Sequence, residues 1–148
     1  MSILDNIKIL TGNQPVDPPP PQKPPKKVLI VEDEKALADT LVTAFQEVGF
    51  SAISAENGEE GLKMLVALKP NLLVLDILMP VMNGREMLHR LRDMEEFKRL
   101  PVIVLTNAGD VENVRDTQTF HDAAEFLIKS NVTVADIIEK ARILTNIS

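Results

Sequence analysis

Short apolar runs alternate with longer amphipathic stretches from Lys27 onward. The clearest runs read KVLIV, LLVLD and PVIVLT, and SAISA and EFLIK are weaker examples. Apolar runs of this length are typical of strands that are buried on both faces. The first stretch between them places Leu37, Leu41, Phe45 and Val48 on one helical face and ends at Gly49. The chain is therefore predicted to alternate strands with helices.

The remaining helices are predicted from their start signals and apolar spacing. The second opens at Asn57 with Glu60 three residues later, and the third opens at Asn83 with Glu86 in the same relation, which is the pattern of a capping box. A fourth, short and polar, follows Asp110. The apolar positions of the third and fifth helices are Met87, Leu88, Leu91 and Met94, then Val134, Ile137, Ile138, Ala141 and Leu144.

Five strand-helix units of this kind predict an α/β fold with a parallel sheet and right-handed crossovers. For such a sheet, the flavodoxin-like strand order 2-1-3-4-5 is one of two common solutions. Ligands of these folds bind at the carboxyl ends of the strands, where the strand order reverses. In this order that point lies between strands 1 and 3.

The prolines divide the chain into three parts. Seven of the ten prolines lie between Pro15 and Pro25, which predicts a semi-rigid polyproline linker over residues 15–26. The expected organisation is a short segment over 1–14, this linker, and a domain over 27–148. Residues 1–14 have two interpretations: a frayed tail, which we favour because isolated helices of this length are marginal, and a docking helix on a tether.

Composition excludes several functions. The net charge of -6 disfavours nucleic acid as a direct partner, and the aromatic content of 3% gives little surface for base stacking. The absence of Cys excludes disulfides, thiolate metal sites and a Cys nucleophile. No apolar run is long enough to span a membrane, and the first residues lack the pattern of a secretory signal. We therefore expect a cytoplasmic protein without a membrane partner.

Polar residues follow the predicted strands at one common edge. They are Glu32 and Asp33 after strand 1, Asp76 at the end of strand 3, Thr106 at the end of strand 4, and Lys129 at the end of strand 5. At a separation of about 5 Å, each pair of carboxylates would repel by roughly 3 kcal/mol. Lys129 supplies one compensating charge, and a hard divalent cation is the natural complement. A site with few protein ligands and room for water suits Mg²⁺ better than Ca²⁺.

Each of these residues also has an ordinary structural explanation when it is taken alone. Asp33 would then be the N-cap of the first helix, Thr106 an ordinary strand-end hydroxyl, and Lys129 a solvated surface lysine. Their joint placement around Asp76, at the edge where the strand order reverses, favours a functional site.

The segments VLIVEDE, LLVLDILMPVMNG, PVIVLTN and AEFLIKS resemble the receiver domain of two-component response regulators over residues 27–145. The resemblance implies that Asp76 is the phosphoacceptor. It implies that Asp33, Asp76 and the backbone carbonyl of Leu78 bind Mg²⁺ directly and that Glu32 binds it through water. It further implies that Thr106 and Lys129 contact phosphoryl oxygens, and that Thr106 and Phe126 form the switch.

The same resemblance implies a signalling protein that catalyses only its own phosphorylation and dephosphorylation. The phosphoryl donor would be a sensor histidine kinase or a histidine phosphotransfer protein, and a downstream effector protein would bind the phosphorylated form. Because the sequence ends about one helix after strand 5, we expect a stand-alone regulator or phosphorelay intermediate. The face formed by predicted helix 4, strand 5 and helix 5 would change on phosphorylation, and it is also a candidate homodimer surface.

Two other function classes remain as alternatives. A pseudo-receiver would act as a phosphate-independent interaction module, although the intact Asp33, Asp76, Thr106 and Lys129 argue against it. A flavodoxin-like electron carrier would need a phosphate-binding loop after strand 1, where this chain has the acidic EDEKAL.

Three positions depart from the pattern of the receiver family. Ser130 stands where Pro usually follows the lysine, and a cis peptide there would cost about 3 kcal/mol, so a trans bond or a strained turn is expected. Asn107 replaces a small residue beside the phosphoryl pocket. Asp122 replaces a Gly that commonly ends the fourth helix, which is a mild change because Asp tolerates the left-handed conformation.

Overall fold

The computed structural model describes residues 15–107, 109, 123 and 125–146. Three predictions lie outside these residues: the conformation of residues 1–14, the helix after Asp110 and the effect of Asp122. Within the described part, residues 15–26 contain neither helix nor strand and are exposed. No helix in that part is long and apolar enough to cross a membrane.

Five parallel strands form one sheet in the order β2-β1-β3-β4-β5. The prediction of a flavodoxin-like α/β fold with strand order 2-1-3-4-5 is therefore confirmed. The strands are β1 (Lys27–Val31), β2 (Ser51–Ala55), β3 (Leu72–Asp76), β4 (Val102–Thr106) and β5 (Glu125–Ile128).

Four α-helices connect or follow these strands in the described residues: α1 (Lys35–Glu47), α2 (Gly58–Leu68), α3 (Gly84–Arg92) and α4 (Val134–Thr145). The helix predicted as the fifth is therefore α4. The predicted N-caps of α2 and α3 are present, because the side chain of Asn57 accepts a hydrogen bond from Glu60 N–H and that of Asn83 accepts one from Glu86 N–H, each at 2.9 Å. A reciprocal capping box of Thr133 and Asp136 starts α4.

Glu34 holds the N-cap position of α1 without a side-chain cap, so the alternative explanation of Asp33 as the N-cap is wrong. Two boundaries differ from the sequence prediction. Helix α3 ends at Arg92, so Met94 lies beyond it and precedes a short 3₁₀ turn over Glu95–Phe97. Strand β5 ends at Ile128, and Lys129 begins a 3₁₀ turn over Lys129–Asn131. The peptide between Lys129 and Ser130 is trans.

The core lies in two layers, one on each face of the sheet. Alternate residues of β1 enter opposite layers, because successive side chains of a strand point to opposite faces. Leu29 and Val31 pack with residues of α2 and α3, whereas Val28 and Ile30 pack with residues of α1 and α4. Every residue of β3 is buried. Since a fully buried aliphatic side chain contributes about 1.5–3 kcal/mol, the central strands give their carboxyl ends a rigid base.

Candidate functional site

The register of the central strands brings the predicted polar residues to one edge. Val31 pairs with Leu75, so Glu32 lies beside Asp76, the last residue of β3. Asp76 in turn pairs with Leu105, which places Thr106 one residue further along β4. These residues are therefore positioned by backbone hydrogen bonds rather than by a mobile loop.

Lys129 forms ion pairs with two buried carboxylates. Its Nζ lies 3.1 Å from both Oε1 and Oε2 of Glu32 and 3.3 Å from Oδ2 of Asp76. Glu32 is buried and Asp76 is only 3% exposed, while Lys129 is half-buried. At these depths the attraction is screened much less than at the surface. Lys129 is thus the cation that holds Glu32 and Asp76 together.

One lysine does not neutralise this group of acids. Carboxylate oxygens of Glu32, Asp33 and Asp76 all lie within 4.8 Å of one another. Although Glu32 Oε2 is close to Lys129 Nζ, it is buried and has no hydrogen-bond partner. Three carboxylates beside one ammonium leave an excess of negative charge, and their oxygen atoms are the donors that Mg²⁺ and Ca²⁺ prefer. The residues present therefore fit a hard divalent cation.

The pKa values of the site reflect the same imbalance. Burial raises the pKa of the Asp76 carboxyl to about 7, the charge of Glu32 adds to this rise, and Lys129 opposes it. Burial also raises the pKa of Glu32, against the hydrogen bond and charge of Lys129. For Lys129, burial alone would lower the pKa, but the attraction of Asp76 and Glu32 outweighs it, and the pKa is raised. The protein alone therefore does not fully favour an ionised Asp76.

The loop after Asp76 is closed by two backbone hydrogen bonds. Gly84 N–H donates to Ile77 O at 2.8 Å, and Gly58 N–H, at the start of α2, donates to Met82 O at 3.2 Å. A Cβ atom on Gly84 would overlap the carbonyl oxygen of Asp76 and lie 2.9 Å from its carbonyl carbon. Glycine at this position thus allows α3 to begin directly against the backbone of Asp76.

Thr106 and Phe126, the predicted switch residues, lie on neighbouring strands. Thr106 is buried, and its hydroxyl donates a hydrogen bond of 3.4 Å to the carbonyl oxygen of the exposed Asn107. Phe126 is half-buried and packs against the core layer that contains α2 and α3. Leu78, the predicted carbonyl ligand, is 52% exposed in the loop after Asp76.

Sequence reasoning missed two features of this loop. Gly84 ends the segment LLVLDILMPVMNG that carries the resemblance, but the residue type alone does not predict how closely it approaches the Asp76 backbone. Val81 has a φ of 68°, in the left-handed region. A β-branched residue disfavours that conformation, so no signal in the sequence indicates it.

The strand order defines an α/β protein of the flavodoxin-like class. The cluster of Glu32, Asp33 and Asp76 at the carboxyl ends of its strands defines a site of the cation-binding type. The chain belongs to the response regulator receiver domain family, whose model matches residues 28–142. Receiver domains of this family are signalling modules of phosphorylation-based two-component systems rather than classical enzymes.

Two curated relatives illustrate the match. The phosphate regulon transcriptional regulatory protein PhoB of Rhizobium meliloti is 37% identical over 101 residues, which are 68% of this chain and 44% of that protein. The DNA-binding dual master transcriptional regulator RpaA of Synechocystis is 27% identical over 115 residues, 78% of this chain and 47% of that protein. The chain thus spans less than half the length of these relatives.

A solved structure is similar over most of the chain. The response regulator protein TrrA of Thermotoga maritima, in complex with Mg²⁺-BeF, is 32% identical with a TM-score of 0.70, and the match covers 80% of this chain and 98% of that one.

Proposed function

We propose that this chain is a response regulator receiver that accepts a phosphoryl group on Asp76 and thereby switches its binding to partner proteins. The observation that carries the proposal is the cluster of Glu32, Asp33 and Asp76 with Lys129 Nζ 3.3 Å from Asp76 Oδ2. The complex of the similar Thermotoga protein with Mg²⁺-BeF supports it.

Mg²⁺ is the proposed cofactor. Asp33, Asp76 and the backbone carbonyl of Leu78 would hold it directly, and Glu32 would hold it through water. When bound, the ion supplies positive charge that favours the ionised carboxylate and balances charge on the phosphoryl oxygens. This role matters because burial raises the pKa of Asp76 to about 7 even with Lys129 beside it, so further positive charge favours the ionised carboxylate at neutral pH.

In the proposed transfer, a carboxylate oxygen of Asp76 forms a bond to phosphorus as the bond from phosphorus to the donor's histidine nitrogen breaks. The imidazole nitrogen keeps the electron pair and takes a proton from solvent. Lys129 turns its ammonium group from Glu32 and Asp76 towards the phosphoryl oxygens. The chain thus contributes position and electrostatic stabilisation, which dominate catalysis of phosphoryl transfer.

The switch is proposed to start at Thr106. Its hydroxyl leaves the carbonyl of Asn107 and donates to a phosphoryl oxygen, which is a stronger, charged acceptor. Phe126, on the neighbouring strand, then rotates into the space that is released. The phosphoryl group thereby favours one of two conformations with different partner-binding surfaces.

The proposed partners are a histidine kinase or histidine phosphotransfer protein as donor, and an effector protein for the phosphorylated form. Neither nucleic acid nor membrane is part of the proposal. One proposed form of the switched state is a homodimer. Its interface would consist of β5, α4 and the helix that is predicted after Asp110.

The test is phosphorylation by acetyl phosphate with Mg²⁺, followed by intact-mass spectrometry. We expect one phosphoryl adduct on the wild type and on Asp39→Asn, an exposed acid of α1, and none on Asp76→Asn. Beryllofluoride should bind to the wild type with Mg²⁺ and not to Asp76→Asn. A wild type that forms no adduct and binds no beryllofluoride would instead favour the pseudo-receiver.

A further inference from the structure

Val81 has an unusual backbone conformation in the loop after Asp76. Its φ is 68°, and Met82 N–H donates a 2.8 Å hydrogen bond to Pro80 O. A bond of this kind across a residue with positive φ is the rarer and more strained form of γ-turn. The other described non-glycine residues with positive φ, Lys69 and Asn146, are C-caps of helices, where this conformation is common.

The neighbours of Val81 hold it in this turn. Met82 is buried against the core, its carbonyl accepts the hydrogen bond from Gly58, and Gly84 closes the loop onto Ile77. The residues that follow Val81 are therefore held by contacts that do not involve the Val81 side chain.

Folding does not account for a valine at this position. The Val81 side chain is 75% exposed, so it gains little from burial, and Gly or Asn would adopt the same backbone with less strain. Strain at an exposed residue beside a reactive site is a reason to look for a role in binding.

The surroundings of Val81 indicate what would bind there. Leu78, which is 52% exposed, and the exposed Pro80 lie in the same loop, so this side of the site is apolar. The exposed acids Asp33 and Glu34 follow the neighbouring strand β1. Gly84 N–H bonds to Ile77 O, and Gly84 lies against the Asp76 backbone, so residues 78–83 form a short loop that begins and ends beside Asp76.

A protein that donates a phosphoryl group must cover this loop. Its phosphorus has to come within bonding reach of Asp76, so the surface around its histidine lies over the rim of the site. Small phosphodonors reach Asp76 without touching the rim. The apolar loop therefore distinguishes protein donors from small ones.

We propose that Val81 is a specificity-determining contact for the protein phosphodonor. Its isopropyl group, together with Leu78 and Pro80, receives an aliphatic patch beside the donor's phosphohistidine, and the γ-turn holds it towards that patch. The inference rests on the proposed function, since it requires that Asp76 is phosphorylated by a protein.

The test compares Val81→Asn with Val66→Asn. Asn tolerates the left-handed backbone, so the urea midpoint of Val81→Asn should equal or exceed that of the wild type. Val66 is a matched control, because it is 53% exposed and lies on α2 about 12 Å along the helix axis from Gly58. Neither residue belongs to the proposed catalytic or metal-binding groups.

Two phosphodonors are used on each variant. Acetyl phosphate should label the wild type and both variants at rates within two-fold of one another. The histidine kinases of the source organism, autophosphorylated with radiolabelled ATP, and the histidine phosphotransfer proteins that they label are then screened for transfer to the wild type. With the fastest of them, we expect Val81→Asn to lower kcat/KM at least ten-fold, mainly through KM, and Val66→Asn to leave it unchanged. Val81→Leu, which keeps an apolar side chain, should retain most of the transfer.

The outcomes separate this inference from the proposed function. Equal transfer from the kinase to Val81→Asn and to the wild type would overturn the role of Val81. Labelling by acetyl phosphate without transfer from any kinase or phosphotransfer protein would also overturn it. So would a loss that is confined to effector binding by the beryllofluoride form. Absence of labelling by both kinds of donor would instead refute the proposed function itself.

Discussion

Replacing Asp76 by Asn should make the metal-free protein more stable at alkaline pH. Asp76 is buried beside Glu32, and burial raises the pKa of its carboxyl from 3.8 to about 7. In its ionised form this carboxylate therefore opposes folding when no cation is bound. Asn fills nearly the same volume and carries no charge.

The raised pKa sets the size of the effect. If the pKa of Asp76 is about 7 in the folded chain and 3.8 in the unfolded chain, ionisation of Asp76 lowers the free energy of unfolding by about 4 kcal/mol at pH 8. Each pKa unit is worth about 1.4 kcal/mol. The attraction of Lys129 is already included in that pKa. Allowing for relaxation around an ionised group, we expect Asp76→Asn to raise the free energy of unfolding by roughly 2–4 kcal/mol.

The pH dependence follows from the direction of the shift. As pH rises from about 4 to about 7, the unfolded chain has already lost the Asp76 proton while the folded chain still holds it. The free energy of unfolding of the wild type therefore falls through this pH range. Asp76→Asn lacks the titrating carboxyl and does not show this contribution to the fall. Between pH 8 and pH 5, the advantage of the variant should shrink, by about 2.5 kcal/mol at the upper end of the range of roughly 2–4 kcal/mol and by less at its lower end.

Urea denaturation in EDTA at pH 5 and pH 8 measures both quantities. Asp39→Asn, which removes an exposed carboxylate from α1, is the control and should differ little from the wild type at either pH. The reasoning is refuted if Asp76→Asn is less stable than the wild type at pH 8, or if its advantage is the same at both pH values.

Two further predictions concern the loop and the metal. Gly84→Ala should lower the free energy of unfolding by more than about 3 kcal/mol and abolish acetyl phosphate labelling, because its Cβ would overlap the Asp76 backbone. Gly49→Ala, at φ 96° in open space, should cost only about 1–2 kcal/mol and leave labelling intact, and equal effects of the two variants would contradict the reasoning. Mg²⁺ at ten times its Kd should stabilise the wild type at pH 8 by about 1.4 kcal/mol in thermal unfolding. The same Mg²⁺ concentration should stabilise Asp33→Asn much less, and an equal shift would remove Asp33 from the proposed metal site.

The sequence predicts the fold because its strands are nearly continuous apolar runs. β1 and β3 coincide with the apolar runs KVLIV and LLVLD, and rules for parallel sheets leave the observed strand order as one of two common solutions. The edge position of Asp76 is predictable for the same reason: a charged residue that ends a buried run must lie where the sheet meets solvent. These inferences need only the spacing of side chains along the backbone.

The sequence does not predict contacts that depend on rotamers and packing. Lys129 was expected near Asp76, yet its Nζ is closer to both oxygens of Glu32. The residue type of Asp33 suits an N-cap of α1, but Glu34 takes that position. The left-handed turn at Val81 runs against the preference of valine and is set by Met82, Gly58 and Gly84, whose contacts arise only in the folded chain.

The ion pair between Glu32 and Lys129 joins residues 97 positions apart in the chain. Strand β1 pairs with β2 and β3, so the acids at its end and at the end of β3 are assembled by the first half of the domain. The residue that balances these acids follows β5, which joins the sheet at the far side of β4. The acidic group and its counter-charge therefore come from opposite ends of the domain's sequence, and the site is complete only when β5 has joined the sheet.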